Sequence, residues 1–194
     1  MTPAILAELQ HRHREPHRHH HDWSRIAGML AMAEEVPHAI GDRAAFILAI
    51  LFHTAILEHG RPDNGAASAA LLRHHLGTTM PAHMLARAEA LIMAVTRREM
   101  PETEDASLRG DAGLLLDMDN AILGEPPARY AAYEAALRRE SAHLSEDRYA
   151  LGRAAALRAL LWRDRLFNTD RFFLDRERRA RRNIAAMLEQ LEAP

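Results

Sequence analysis

The 194 residues contain no cysteine and no lysine. Without cysteine there can be no disulfide, no thiolate nucleophile and no thiolate metal site. Without lysine there is no amine nucleophile and no Schiff base. All 25 basic residues are arginine, and thirteen histidines stand beside them, so any metal would have to be held by His, Asp or Glu. A glycine-rich phosphate loop, Gly-x-Ser-x-Gly and His-Glu-x-x-His are all missing, which leaves those hydrolase classes without support. A net charge of -2 offers no surplus of positive charge, so no nucleic-acid partner is expected. No apolar run approaches the roughly 20 residues of a membrane span. The start, Met-Thr-Pro-Ala-Ile-Leu-Ala-Glu-Leu-Gln, carries an acid and no long apolar core, so no signal peptide is read and the expected location is cytoplasmic. Nothing alternates as a strand does, and no Asn-Gly or Asp-Gly hairpin signal separates alternating runs.

What remains is helix. The most informative stretch begins with nine unbroken apolar residues, Ala44 to Phe52, followed by His53, Thr54, Ala55, Ile56 and Leu57. This predicts one helix from about Asp42 to His59, apolar all round and therefore central to a bundle. Thr2 and Pro3 open a first helix to about His13. A second runs from His21 or Asp22 to Glu35, with His21 and Arg25 four apart on one face. Asp63 or Asn64 starts a thin, alanine-rich helix ended by Gly77, and Pro81 starts another to about Arg98. Met100 to Gly110 is polar and acidic and predicts a mobile loop, with Asp111 capping a helix from Ala112 to Leu123. Further helices are expected from Pro126-Pro127 to Ala142, from Ser145 to Trp162, and from Asn168–Asp170 to Leu191. The short connections predict a single all-α domain, residues 1–194, built as a helical bundle.

Two features stand out chemically. Six histidines fall between His11 and His21, a composition suited to metal; the plainer expectation is an exposed polar segment. His53 and Thr54 place an imidazole and a hydroxyl at the end of a core helix, where a site or a core histidine bonded to a carbonyl is expected. The arginines of the last helix (Arg171, Arg176, Arg178, Arg179, Arg181, Arg182) are expected on a solvated face, with Asp175–Arg179 and Glu177–Arg181 as i,i+4 pairs.

The order His21, His53, Asp119 resembles the His…His-Asp…Asp pattern of the HD superfamily of metal-dependent phosphohydrolases. The chain is most similar to a small all-α subgroup of predicted phosphohydrolases, from about Glu15 to Leu191. The matching pieces are Arg18-His19-His20-His21, Phe52-His53, Asp63-Asn64 with Ser68-Ala69, Thr96, Asp117-Met118-Asp119 with Ile122-Leu123-Gly124, then Tyr130, Tyr133, Arg138 and Glu140, and last Glu177, Ala180-Arg181 and Asn183. The resemblance implies an HD-type helical fold. It also implies imidazoles and carboxylates converging on a divalent ion (Mn, Fe, Co, Zn or Mg) that activates water toward a phosphoryl group.

The departures fall on the ligands. Thr54 stands where the family has its defining Asp, and Arg25 where the subgroup has a second His. Glu99 stands where the subgroup has a His, and Gly65 where it has an acid. The first expectation is therefore a relative with an eroded metal site. It would bind a phosphorylated small molecule or nucleotide with little or no hydrolysis, with Arg25, Thr54, Asp63 and Asn64 meeting the substrate or acting as counter-ions. The second is an active enzyme with a rebuilt ligand set of His21, His53, Asp119 and Glu99. The third is a non-catalytic helical interaction module. A homodimer is compatible with all three.

Overall fold

The computed structural model describes residues 1–193 and is all-helical, with nine α-helices and no strand among them. The backbone forms two compact units, Met1–Met118 and the segment from Asp119 onward.

In the first unit, α1 (Pro3–Arg12), α2 (Trp23–Glu35) and α3 (Arg43–Phe52) start at Thr2, Asp22 and Asp42. Each of these side chains accepts a backbone N–H from the first turn, satisfying a donor the helix itself cannot. Helix α3 packs against α2, α4 (Asn64–Leu76) and α5 (Ala82–Arg97). It buries Ala45, Phe46, Leu48, Ala49, Ile50, Leu51 and Phe52, as an all-apolar helix must. The stripe of α5, Leu85, Ala88, Leu91, Ile92 and Val95, is buried as its spacing requires. The α4–α5 packing is close at Gly65: a Cβ there would lie 2.3 Å from Thr96 Oγ1. An acidic side chain at position 65 would therefore displace α5, which accounts for the glycine.

Two boundaries differ from expectation. Helix α3 ends at Phe52, not His59, because the carbonyls that follow are taken by side chains described below. The segment expected as a loop to Gly110 is helical from Ala106, where α6 (Ala106–Asn120) begins. Asp105 starts it by accepting the Leu108 N–H at 3.0 Å. This bond, with Arg87 beside it, holds the Asp105 carboxyl below the usual range.

Asp111, expected as a helix cap, lies inside α6 and is buried. Its carboxylate accepts the N–H groups of Gly41 at 2.7 Å and Asp42 at 3.1 Å. Arg87 Nη2 donates to it at 3.0 Å and Arg87 Nη1 to Asp105 at 2.8 Å. A buried carboxylate with two backbone donors and a guanidinium is fully compensated. It ties α6 and α5 to the turn before α3. Gly41 is required here, since a Cβ would meet Ser107 Oγ at 2.0 Å.

The second unit contains a 3₁₀ turn at 121–124, α7 (Pro127–Glu140), α8 (Glu146–Leu161) and α9 (Asp170–Leu191). Asn183 Nδ2 donates to the carbonyls of Leu123 and Glu125, both at 2.8 Å, and Arg176 pairs with Glu125 at 2.6 Å. Glu177 is buried, not solvated. It accepts the N–H groups of Leu166 and Phe167 and pairs with Arg181 at 2.7 Å. Arg181 in turn caps the carbonyls of Leu161, Arg163 and Asp164. The expected Asp175–Arg179 pair gives way to Arg179 donating to the Gly124 carbonyl and Asp175 facing Arg176 at 3.4 Å. These residues are scaffold. Between α7 and α8, Arg153 grips Glu134 through two bonds of 2.8 and 2.6 Å in a buried pair. No described helix is long and apolar enough to cross a membrane.

Replacing Asp111 with alanine leaves Arg87 and two backbone N–H groups without their acceptor. Urea unfolding of Asp111→Ala is expected to show a loss of about 3 kcal/mol, and of Asp111→Asn a smaller one, because the amide oxygen still accepts.

Candidate functional site

The histidine-rich segment is not an exposed tail. Pro16 keeps it out of helical register, and it crosses the first unit as a strap with two buried side chains, His13 and Arg18. His13 closes α1. Its Nδ1 lies 2.8 Å from the Leu9 carbonyl and its Nε2 3.3 Å from Thr54 Oγ1. A carbonyl only accepts, so Nδ1 carries the proton; Nε2 is then the acceptor and the Thr54 hydroxyl the donor. Burial pushes the His13 imidazole down to about 4. The contact between the strap and position 54 is therefore neutral.

Arg18 is the centre of the site, and its side chain has no exposed surface. Nη1 donates to the Thr54 carbonyl at 2.6 Å and the His21 carbonyl at 3.3 Å. Nη2 donates to the Ala55 carbonyl at 3.1 Å, and Nε to Glu15 at 3.0 Å. This explains the early end of α3. The carbonyls of Thr54 and Ala55 turn toward a planar fork of donors and cannot serve another helical turn. Beyond them, Ser68 Oγ accepts the Ile56 N–H at 3.0 Å and His17 Nε2 donates to the Leu57 carbonyl at 2.9 Å. The strap and the segment 53–57 are laced together.

Several of the residues expected at a site converge here. His53 is buried at the end of α3, with Nδ1 donating to the Ile50 carbonyl at 2.8 Å. That fixes its tautomer, with Nε2 as the lone-pair nitrogen of the neutral ring. His21 is tied to Thr54 through Arg18. The His20 and His21 rings meet edge to face at 4.8 Å, and Arg25 reaches back to His20 Nε2. Arg25 is half-buried on the first turn of α2, four residues from His21 as its spacing required. Arg18 thus joins the backbone of Thr54, which follows His53, to that of His21, and His20 joins His21 to Arg25.

Other expected residues are elsewhere. Asp63 pairs with Arg61 at 2.7 Å, which lowers its carboxyl. Asn64 clamps its own loop: Oδ1 accepts the Glu58 N–H and Nδ2 donates to the carbonyls of Glu58 and Arg61. Both shape the turn before α4. Glu99 is exposed past the end of α5. Asp119, by contrast, sits half-buried on the last turn of α6. Among the described residues no three His, Asp or Glu side chains gather as a metal-binding group.

The sequence did not mark out His13, and it named Arg18 only as part of the Arg18-His19-His20-His21 piece, without a role. Six histidines in eleven residues look alike until the backbone is traced. The nearest signal was Pro16, which separates His13, at the end of one helix, from the rest of the tract. Comparison of the chain with protein-family models, curated proteins and solved structures finds no match.

The His13 ring gives a pH dependence whose sign can be worked out. Its folded-state value, about 4, lies below the 6.5 of an unburied imidazole. The unfolded chain therefore takes up the proton first, and stability present above pH 6.5 is lost as pH falls toward 4. Near pH 5 the loss is about 2 kcal/mol. Urea midpoints at pH 7 and pH 5 should differ accordingly in the wild type, and less in His13→Gln. Arg18→Met, which strips three buried carbonyls of their donor, should cost about 3 kcal/mol at any pH, measured the same way.

Proposed function

We propose that this protein is an HD-superfamily relative whose metal-ligand position has been converted to a neutral one, and that it binds a phosphorylated small molecule or nucleotide without hydrolysing it at a significant rate. The observation that supports this most is the Thr54 hydroxyl seated against the buried, neutral His13 ring. Where the superfamily's pattern puts a carboxylate, this chain has a hydrogen bond that carries no charge. A hydroxyl is a weak ligand for a hard divalent ion compared with a carboxylate. An aspartate at 54 would draw a proton onto His13 Nε2 and replace this neutral contact with an ion pair.

The neighbouring charges favour an anionic ligand. Arg18 is committed to backbone carbonyls and its charge is offset by Glu15 at 3.0 Å, so the cation offered to a ligand is Arg25. Arg25, His20 and His21 lie together at the start of α2, with His19 exposed beside them. A guanidinium next to imidazoles suits phosphate oxygens, which accept several N–H donors in a plane. The same cation opposes a divalent ion in the same place. Binding would then rest on Arg25 and the imidazoles, with Thr54 in place of the carboxylate that the superfamily's pattern has at that position. The ligand class follows from charge and donor geometry; the base or sugar attached to the phosphate does not.

Calorimetric titration with nucleoside monophosphates and inorganic phosphate should give binding that weakens about tenfold in Arg25→Ala, the loss of one charged hydrogen-bonded contact. Phosphate release from the same compounds with added Mn or Co should stay at background. Turnover that disappears in His53→Ala would overturn the reading in favour of a rebuilt active site. Absence of binding to any phosphate compound would overturn it in favour of an interaction module.

A further inference from the structure

The segment 53–59 follows the apolar run of α3 and continues it with Ala55, Ile56 and Leu57, a pattern that belongs to the end of a helix. Gly60, just beyond, has a φ of +78°, the left-handed conformation that closes a helix at the residue after its last turn. Yet the segment is irregular, and most of the bonds that keep it so come from side chains. Arg18 holds the carbonyls of Thr54 and Ala55, and His17 holds that of Leu57. Ser68 accepts the Ile56 N–H at 3.0 Å and Asn64 the Glu58 N–H at 2.9 Å. The N–H groups of Leu57 and Gly60 donate to no group among the described residues.

We infer that 53–59 is a two-state element: irregular while the histidine strap is seated, and an extension of α3 by about two turns when the strap is withdrawn. The backbone bonds balance in both states. In the helix the Ile56 N–H passes to the Phe52 carbonyl, that of Leu57 to His53, that of Glu58 to Thr54, that of His59 to Ala55 and that of Gly60 to Ile56. The two carbonyls gripped by Arg18 are therefore among those the next helical turn would use, and Arg18 competes with the helix for the same acceptors. Extension supplies Leu57 and Gly60 with the acceptors they lack. It leaves Gly60 to Asp63 for the turn into α4, within the roughly two to five residues that join antiparallel helices. A segment with two complete sets of partners switches between discrete arrangements and does not deform by degrees. The consequence falls on position 54. In the seated state the Thr54 hydroxyl donates to His13. Inside a helix a threonine hydroxyl bonds the carbonyl four residues before it, so Thr54 would leave His13 for Ile50, whose carbonyl His53 now holds. The strap thus governs the hydrogen bonds of both residues.

Amide exchange read residue by residue by NMR on the full chain tests this. In the wild type the amides of Leu57 and Gly60 should exchange fast. Arg18→Lys keeps the charge but replaces the planar fork with a single ammonium, and Arg18→Met removes the donors altogether. In either variant, exchange at Leu57 and Gly60 should slow at least about tenfold, and the Cα shifts of Ala55 to Glu58 should move to helical values. Leu57→Pro supplies the control. No bond of the seated state uses the Leu57 N–H, whereas a helix cannot hold proline there. Added to Arg18→Lys, it should restore fast exchange at Gly60. Fast exchange with coil-like shifts in a folded Arg18 variant overturns the inference, because the segment is then merely loosened. Rates and shifts identical to the wild type overturn it too, since the strap is then not what holds the helix back. Unfolding of both Arg18 variants also counts against it, because a released segment would have had a second arrangement to take up.

Discussion

The buried guanidinium of Arg18 is the constraint on which the first unit depends. A charge with no exposed surface must find an acceptor for every donor it points inward. Arg18 finds three backbone carbonyls and one carboxylate. In doing so it ends α3 at Phe52, fixes the course of the histidine strap and sets the position of His21 relative to Thr54. The strap cannot move without uncovering that charge, and the segment 53–57 cannot become helix without withdrawing its carbonyls. The candidate site is therefore shaped by a backbone-binding arginine more than by any side chain that faces outward.

From this follows the chemistry available at position 54. The threonine hydroxyl is directed to His13, whose other nitrogen is occupied by the Leu9 carbonyl. His53 is oriented in the same way by the Ile50 carbonyl. Each imidazole has a proton on Nδ1, held there by a carbonyl of its own helix. A carbonyl partner of this kind also positions the imidazoles of metal sites, so the scaffold is compatible with an ancestry in metal chemistry. The charge of Arg18 is offset by Glu15, and Arg25 stands beside His20 at the start of α2.

Much of the helical framework could be read from the sequence, since it rests on local rules: caps at Thr2, Asp22, Asp42 and Ser145, the all-apolar run from Ala44, and the stripe of α5. The failures were long-range. The run through Ile56 and Leu57 is apolar enough for helix, and only Arg18, thirty-six residues away, prevents it. Asp111 reads as a cap because aspartate before a helical run usually is one; it is instead a buried acceptor for Gly41 and Asp42. Glu177 and Arg181 have the spacing of a surface pair, yet their bonds hold the chain between α8 and α9. Around Arg18, order and spacing drew attention to His53, His21, Thr54 and Arg25, which the structure places near one another in the chain of contacts described above. They could not do so for His13, because burial, which distinguishes it from five similar neighbours, is a tertiary property. Asp63 and Asn64 have polar side chains spent on their own turn, which composition alone does not reveal.

The central claim is that the position of a metal-ligating carboxylate has become a neutral His13–Thr54 contact. Elemental analysis tests it most directly, on untagged protein prepared without nickel resin, with His53→Ala alongside. The account predicts no stoichiometric Mn, Fe, Co or Zn in either protein. One ion per chain in the wild type, lost in His53→Ala, would contradict it and mean that the ligand set had been rebuilt around His53.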